Sequence, residues 1–306
     1  TNIDEFKFQY DIPLDYAEID FSTPEYFIFK KHVKGYFPLN YQTSLKSRSI
    51  AVTYKPDSEL GGDLFQRSQS GELKFTETLN KITATNIPPM YAEAYVNNVD
   101  NYKTAVKFEL NAVKMPNSPI EYFTQTWEKV AETIYKSSSF GGELTKRGYY
   151  KDDLAAINAK SDDPMQRAAM IFTFLQNKMN WNGYTSVYAR QNLPKAYNEN
   201  TGNVAEINLI LTAMLRDAGL NANPVLVSTR EHGVSLFPTR EGFNYVISAI
   251  ETDNGYILLD ASDKFCEPNL LPTRALNWSG ILIREDHSIR RVSLTSPQPA
   301  QKAYMM

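Results

Sequence analysis

Few side chains in this sequence can act as a nucleophile or a metal ligand. The 306 residues include one cysteine, Cys266, and three histidines, His32, His232 and His287. A single cysteine excludes an intrachain disulfide and a cysteine-rich zinc site, and three scattered histidines predict no metal centre. A cysteine–histidine dyad would need Cys266, which follows a predicted strand and does not begin a helix. We therefore interpret Cys266 as a small, partly buried residue without a catalytic role.

Two carboxylates and one loop histidine are the other candidates for acid–base chemistry. Asp260 ends a predicted strand, and His232 lies in a loop that follows another strand. A loop histidine is most often solvated, although this one could reach a cleft. Glu206 stands three residues after Asn203, where a capping carboxylate is expected for purely structural reasons. The residues alone therefore leave open a hydrolase that uses Asp260 together with His232 or Glu206.

Helices and then strands are predicted to position these residues. Three helices are predicted from their first residues, in which a capping residue is followed by a proline or, three residues later, by a glutamate. These starts lie at 118–121, 163–166 and 203–206. Gly219 is the expected end of the third helix. Strands are predicted beyond it at 224–228, 243–250, 256–260, 280–284 and 289–294. Asn254-Gly255 is a typical hairpin turn, so these strands favour an antiparallel sheet.

The first part of the chain is predicted to be β-rich. Apolar and polar residues alternate there with the period of two that half-buried antiparallel strands show, at 6–10, 50–54, 73–76 and 106–112. Gly61-Gly62 and Pro88-Pro89 separate these segments. The sequence therefore predicts an α+β protein with a β-sandwich domain over residues 1–115 and a second domain over 116–306.

Composition excludes several classes of partner. The 32 Lys and Arg residues nearly balance the 35 Asp and Glu residues, so no basic surface for nucleic acid is predicted. No apolar run reaches the roughly 18 residues that a membrane span needs. The opening residues 1–4 lack the pattern of a signal peptide, and we expect the chain to be part of a longer protein. The 16 Phe, 19 Tyr and 3 Trp residues suggest carbohydrate binding, but β-propensity already explains many of them.

Three motifs in the second part resemble those of the transglutaminase-like fold of the papain-like cysteine peptidases. TGNVAE at 201–206, running on to 215–222, resembles the nucleophile motif; FNYVI at 243–247 resembles the histidine motif; and LLD at 258–260 resembles the acid motif. The run 224–230 is similar to the bacterial envelope branch of this family. That branch has a β-rich domain before the transglutaminase-like domain, and residues 1–115 are similar to the last part of it.

The resemblance implies which residues hold the catalytic positions. In the family, a thiol at the first turn of a helix is activated by the helix dipole, a histidine from a strand accepts its proton, and a carboxylate orients the histidine. These positions match Val204, Tyr245 and Asp260. Valine has no nucleophilic atom, and a tyrosine with its usual pKa near about 10 is a poor base at neutral pH. We therefore expect no catalytic residues and no acyl transfer by the family mechanism.

The resemblance also implies a cleft beside these positions. Its candidate residues are Trp181, Glu206, Asn244 and His232, although a tryptophan such as Trp181 is more often a core or loop anchor. We expect no cofactor and no metal. The periplasm or cell envelope is the expected location, by resemblance alone.

These observations lead to three functional hypotheses. The first is a non-catalytic homologue that acts as a binding or scaffold module for an unidentified peptide, protein or glycan. The second is a hydrolase or amidase that uses other residues of the same cleft. The third is an assembly component whose surface matters and whose cleft does not.

Overall fold

The computed structural model describes residues 3–54, 69–94, 96–115, 118–123, 126–235 and 237–295. Internal contacts divide the chain into two units, Thr1–Thr124 and Gln125–Met306. The predicted Gly61-Gly62 turn lies outside the described residues. No helix in the described ranges is both long enough and apolar enough to cross a membrane.

The first unit consists of antiparallel strands in two sheets. Its strands are β1 (Ile3–Lys7), β2 (Leu14–Pro24), β3 (Phe27–Lys34), β4 (Asn40–Tyr54), β5 (Gln69–Ile87), β6 (Ala105–Val113) and β7 (Glu121–Tyr122). One sheet has the order β1-β6-β3, with β7 also paired to β6, and the other has the order β2-β5-β4. The predicted β-rich character of this part of the chain is confirmed.

Alternating apolar residues of both sheets form the core of the first unit. Phe8, Ile82, Ile87, Val106 and Phe108 are buried in one cluster, and half-buried side chains from β1, β2 and β3 pack against it. Because successive residues of a strand point to opposite faces, every second residue reaches this core. The alternation read from the sequence is therefore the feature that brings the two sheets together.

The predicted helix start at 118–121 is wrong. Glu121–Tyr122 forms the short strand β7, in which Tyr122 pairs with Ala112 of β6. The first helix begins only at Trp127, where the Thr126 side chain accepts a hydrogen bond from the backbone N–H of Lys129. Pairing with an existing sheet edge satisfies backbone groups that the local capping pattern would have placed in a helix.

The second unit packs helices on an antiparallel sheet. Its elements are α1 (Trp127–Tyr135), α2 (Gly141–Leu144), α3 (Lys151–Asn158), α4 (Pro164–Lys178), β8 (Asn180–Trp181), α5 (Leu193–Glu199), β9 (Thr201–Gly202), α6 (Val204–Asp217), β10 (Ala222–Val227), β11 (Tyr245–Thr252), β12 (Gly255–Leu259), β13 (Ser279–Ile283) and β14 (Ile289–Ser293). The main sheet has the order β12-β11-β10-β13-β14. The short strands β8 and β9 pair in parallel.

Helix α6 is the centre of this unit. Every residue from Val204 to Leu215 is buried, and the helix packs against β10 and β11. A helix that is apolar on nearly all sides must be covered on all sides, and the other helices and the sheet supply that cover. The predicted starts of α4, at Asp163 and Pro164, and of α6, at Asn203, are both confirmed.

Candidate functional site

The first residue of α6 has no reactive side chain. Val204 is its first residue and is fully buried, in an apolar cluster that also contains Tyr245, Val225 and Leu258. The backbone N–H of Val204 donates to the carbonyl oxygen of Tyr184 over 3.3 Å. The position that feels the positive end of the helix dipole therefore holds an apolar side chain in an apolar setting.

The carboxylate of Glu206 accepts hydrogen bonds from backbone N–H groups. One oxygen accepts hydrogen bonds from the N–H groups of Arg190 and Gln191, both over 2.8 Å, and the other accepts from the N–H of Asn203 over 2.7 Å. The Asn203 side chain in turn accepts from the N–H of Glu206, which completes a capping box. The sequence-based structural interpretation of Glu206 is confirmed, and these bonds leave the carboxylate little capacity for acid–base work.

Tyr245 and Asp260 form the polar centre of the site. Tyr245 begins β11, Asp260 directly follows β12, and neither side chain is exposed to solvent. The Tyr245 hydroxyl donates to one Asp260 oxygen over 2.7 Å. The other oxygen accepts from the Ser262 hydroxyl over 2.6 Å and from the Ser262 N–H over 3.0 Å. Both oxygens of this buried carboxylate therefore have hydrogen-bond donors, as burial requires.

Asn208 connects α6 to this centre. Its amide nitrogen donates to Asp260 over 2.9 Å and to the carbonyl oxygen of Val246 over 3.0 Å, and its amide oxygen accepts from the N–H of Ala261 over 2.9 Å. The sequence did not decide whether Asn208 faces solvent or the cleft. In the fold it is fully buried and joins the helix to two strands.

Arg274 is the residue of the site that the sequence did not reveal. Its Nε donates to the Tyr245 hydroxyl over 2.9 Å, and its two terminal nitrogens donate over 3.2 Å to the Ser262 hydroxyl and the Asp263 carboxylate. The guanidinium carbon also lies 4.4 Å from the centroid of the Trp181 ring. No local motif marks Arg274, because it reaches the site from a short 3-10 turn between β12 and β13.

The electrostatics of the site keep Tyr245 protonated. Burial raises the pKa of the Tyr245 phenol far above its usual value, and the nearby Asp260 carboxylate raises that pKa further, while Arg274 only partly opposes the shift. Because its pKa is so high, the phenol keeps its proton at neutral pH and cannot act as a base; it remains a hydrogen-bond donor to Asp260. The arrangement can hold side chains in place but provides no proton acceptor at this position.

The other candidate residues lie in two places. Trp181 belongs to the site through Arg274, and its indole N–H donates to the carbonyl oxygen of Tyr184 over 2.9 Å. His232 and Asn244 instead hold the segment between β10 and β11. A ring nitrogen of His232 lies 2.7 Å from the carbonyl oxygen of Glu241, and the Asn244 side chain accepts from the N–H of Thr229 over 2.8 Å.

Cys266 has the properties of a structural residue. Its side chain is buried, and burial together with the nearby carboxylates of Asp260 and Asp263 raises the pKa of its thiol to about 12. The thiolate is the reactive form, so this shift disfavours nucleophilic chemistry at neutral pH. In the part of the chain that the structure describes, no group of three or more His, Cys, Asp or Glu side chains could hold a metal ion.

Comparisons with known proteins agree with this architecture. Residues 153–261 match the family model of the transglutaminase-like superfamily. A crystal structure of a candidate protease from Parabacteroides distasonis is similar to 96% of this chain, with 13% identity and a TM-score of 0.53. This chain spans only 48% of that protein. A candidate cysteine protease from Cytophaga hutchinsonii is 11% identical, with 89% of this chain and 76% of that one covered and a TM-score of 0.29.

A comparison with curated proteins found no match. The likeness to the Parabacteroides protein establishes the fold, and the family match extends from α3 to the residue after Asp260. That range includes all of α6, β10, β11 and β12, the elements that position the site. The second unit of this chain is therefore a transglutaminase-like domain, and a β-rich region precedes it.

Proposed function

We propose that this chain is a non-catalytic transglutaminase-like module that binds or organises a partner in the cell envelope. The observation that carries the proposal is the buried Tyr245 hydroxyl. It donates to Asp260 and accepts from Arg274, at the position where the family resemblance puts the catalytic histidine. A hydrogen-bonded side chain without a basic function replaces the proton acceptor that acyl transfer needs.

The first turn of α6 gives independent support. Val204 holds the position that matches the nucleophile, and its side chain is fully buried among apolar neighbours. The frame around it is complete: the helix has its capping box, and Asp260 has its donors. A binding or scaffold module needs a stable surface but no nucleophile and no base. A fold that keeps its stabilising hydrogen bonds without those two groups is suited to such a role.

The hydrolase alternative receives no comparable support. It would need Asp260 to share a reacting centre with His232 or with Glu206. Glu206 accepts from backbone N–H groups, His232 contacts a carbonyl oxygen, and Asp260 accepts from Asn208, Tyr245 and Ser262. These partner sets are separate, so none of the three carboxylate or imidazole groups is arranged to activate another.

An amidase assay tests the proposal. Purified wild-type protein is incubated with a glutamine-containing peptide and a primary amine, and released ammonia and cross-linked product are measured. We expect no more product than in the protein-free sample. Repeated turnovers that disappear in Asp260→Ala would contradict the proposed function and favour the hydrolase.

A restored dyad provides the positive control. The double variant V204C/Y245H supplies a thiol at the start of α6 and an imidazole beside Asp260, and adding Arg274→Ala removes the guanidinium that contacts position 245. We expect the triple variant to exceed the double variant in amide turnover, because Arg274 would compete for hydrogen bonds with the introduced imidazole. V204A/Y245F, which changes the same positions without reactive groups, is the matched control.

The envelope location rests on the resemblance of residues 224–230 to the envelope branch. Fractionation of cells that produce the native protein, followed by immunodetection, tests it. We expect the protein in the periplasmic or membrane-associated fraction. Recovery with cytoplasmic marker enzymes would contradict this part of the proposal without affecting the non-catalytic role.

A further inference from the structure

Two loops beside the Tyr245–Asp260 centre present an exposed aromatic and cationic surface. We call Tyr184, Arg190, Lys264 and Phe265 the rim. Tyr184 and Arg190 belong to the loop between β8 and α5, and Lys264 and Phe265 follow β12. The rim therefore comes from two segments that are distant in sequence, and in the fold both segments contact β8.

Direct contacts connect the segment after β12 to β8, which leads into the loop of Tyr184 and Arg190. The Lys264 ammonium donates to the side-chain oxygen of Asn180 over 2.9 Å, next to Trp181. Arg274 contacts both the Asp263 carboxylate, over 3.2 Å, and the Trp181 ring, at 4.4 Å. The arginine beside Tyr245 therefore contacts residues that are next to the rim, Asp263 before Lys264 and Trp181 in β8.

The aromatic members of the rim are unusually accessible. The Phe265 side chain is 96% exposed and that of Tyr184 is 58% exposed. A phenylalanine ring so fully in water forgoes the stabilisation that its burial would give, about 2 kcal/mol or more in a typical core. The backbone N–H of Phe265 donates to the Asp263 side chain over 3.0 Å, and this bond fixes the backbone at Phe265.

The charge of the rim is positive. The Arg190 guanidinium carbon lies 4.8 Å from the centroid of the Tyr184 ring. Among the described residues, no carboxylate forms an ion pair with Arg190 or Lys264, whereas Asp263 is already paired with Arg274. The rim therefore presents two cations that are not paired with a carboxylate, although the whole chain has a net charge of −3.

We propose that the rim binds an acidic peptide segment of another protein that carries an apolar anchor residue. This inference deepens the proposed function and rests on it. The carboxylates of the segment would approach Arg190 and Lys264, and its apolar side chain would cover Phe265, since interface hot spots are enriched in aromatic residues and arginine. Because Arg274 occupies the interior beside Tyr245, the segment would contact the rim without entering the centre.

The rim favours a peptide over an acidic glycan. A sugar ring stacks on a flat, open aromatic face, but Arg190 covers one face of Tyr184 and Arg274 covers one face of Trp181. The most exposed ring, Phe265, has no polar atom to orient hydroxyl groups. An apolar peptide side chain needs no such orientation.

A display selection with random short peptides on the full chain tests this inference. We expect selected peptides to combine Asp or Glu with at least one large apolar residue. Phe265→Ser should weaken their affinity about tenfold or more, as loss of an anchor contact does. R190Q/K264Q should weaken it similarly and remove its salt dependence, because both changes delete attractive charges.

A matched variant separates the rim from general charge effects. K151Q/K160Q also removes two exposed positive charges from the second unit and should change affinity by no more than about twofold. No enrichment, equal losses in K151Q/K160Q, or displacement of the peptides by oligogalacturonate would overturn the inference. Amide turnover is a separate measurement, so failure of the non-catalytic role and failure of peptide binding are distinguishable.

Discussion

At the scale of single residues, the Tyr245 hydroxyl connects three parts of the second unit. It donates to Asp260 after β12 and accepts from Arg274, and Asp260 also accepts from Asn208 on α6. Tyr245, Asp260 and Asn208 are fully buried, where each unmade hydrogen bond leaves a desolvated polar atom. The Tyr245 hydroxyl therefore contributes to the stability of the second unit.

Tyr245→Phe tests that structural contribution. The change removes one donor from buried Asp260 and one acceptor from Arg274, so we expect the free energy of unfolding to fall by about 2 kcal/mol. Urea denaturation followed by tryptophan fluorescence measures this. Tyr184→Phe, which alters an exposed ring, should change the free energy by less than about 0.5 kcal/mol. Equal effects of the two variants would contradict the structural role.

Single residues also show how far the sequence can locate a site. Val204, Tyr245 and Asp260 were singled out by the family resemblance. The capping role of Glu206 was predicted from its spacing from Asn203, because local hydrogen bonds act over three or four residues. Arg274 carries no such local signal. Its role depends on the distance between two loops, which only the packed chain sets.

At the scale of elements, the side chain of Glu251 connects the strands β10, β11 and β13 at one end of the main sheet. Glu251, near the end of β11, accepts two hydrogen bonds of 2.7 Å from Arg284, directly after β13. It also accepts from Asn223 at the start of β10 over 3.0 Å. The pKa of Glu251 lies below its usual range, mainly because Arg284 donates hydrogen bonds to the carboxylate. One carboxylate therefore holds three strands together.

This lowered pKa predicts how stability depends on pH. The folded state binds the Glu251 proton less readily than the unfolded state, so the stabilisation is complete above the unfolded pKa, about 4.3, and is lost as pH falls towards the lower folded pKa. We expect the difference in unfolding free energy between wild type and Glu251→Gln to shrink across this interval. Urea titrations at several pH values measure it.

An exposed acidic residue provides the control for this prediction. Glu199 lies 3.9 Å from Lys195 on the surface of α5. Surface pairs of this kind contribute little, so Glu199→Gln should differ from wild type by a small and nearly constant amount. A Glu251→Gln difference that is independent of pH would contradict the linkage.

At the scale of the whole molecule, the chain has separate hydrophobic cores. The core of the first unit contains Ile82 and Val106 from its two sheets. The larger core of the second unit contains Leu211 on α6 and residues of five other helices. Each core is formed by residues of one unit only, which is the usual basis for independent unfolding.

The three tryptophans make this testable, since Trp127, Trp181 and Trp278 all belong to the second unit. Leu211→Ala should lower the midpoint of the fluorescence transition, with a loss of about 2 to 5 kcal/mol. Ile82→Ala should leave the midpoint of the fluorescence transition unchanged. It should alter only the unfolding of the strands, as followed by circular dichroism. A fluorescence midpoint that shifts equally in both variants would indicate one cooperative unit.

The sequence by itself determined the classes of element and most of their order. Period-two alternation predicted the β-rich first part, and capping residues located the starts of α4 and α6, because both signals depend on neighbours within a few residues. The same logic failed at 118–121, where pairing with β6 produced β7. The tertiary structure alone decided that Asn208 faces inward, that Arg274 lies beside Tyr245, and that Lys264 binds Asn180 in β8. These facts depend on distances between segments far apart in the chain, which packing fixes and local sequence does not encode.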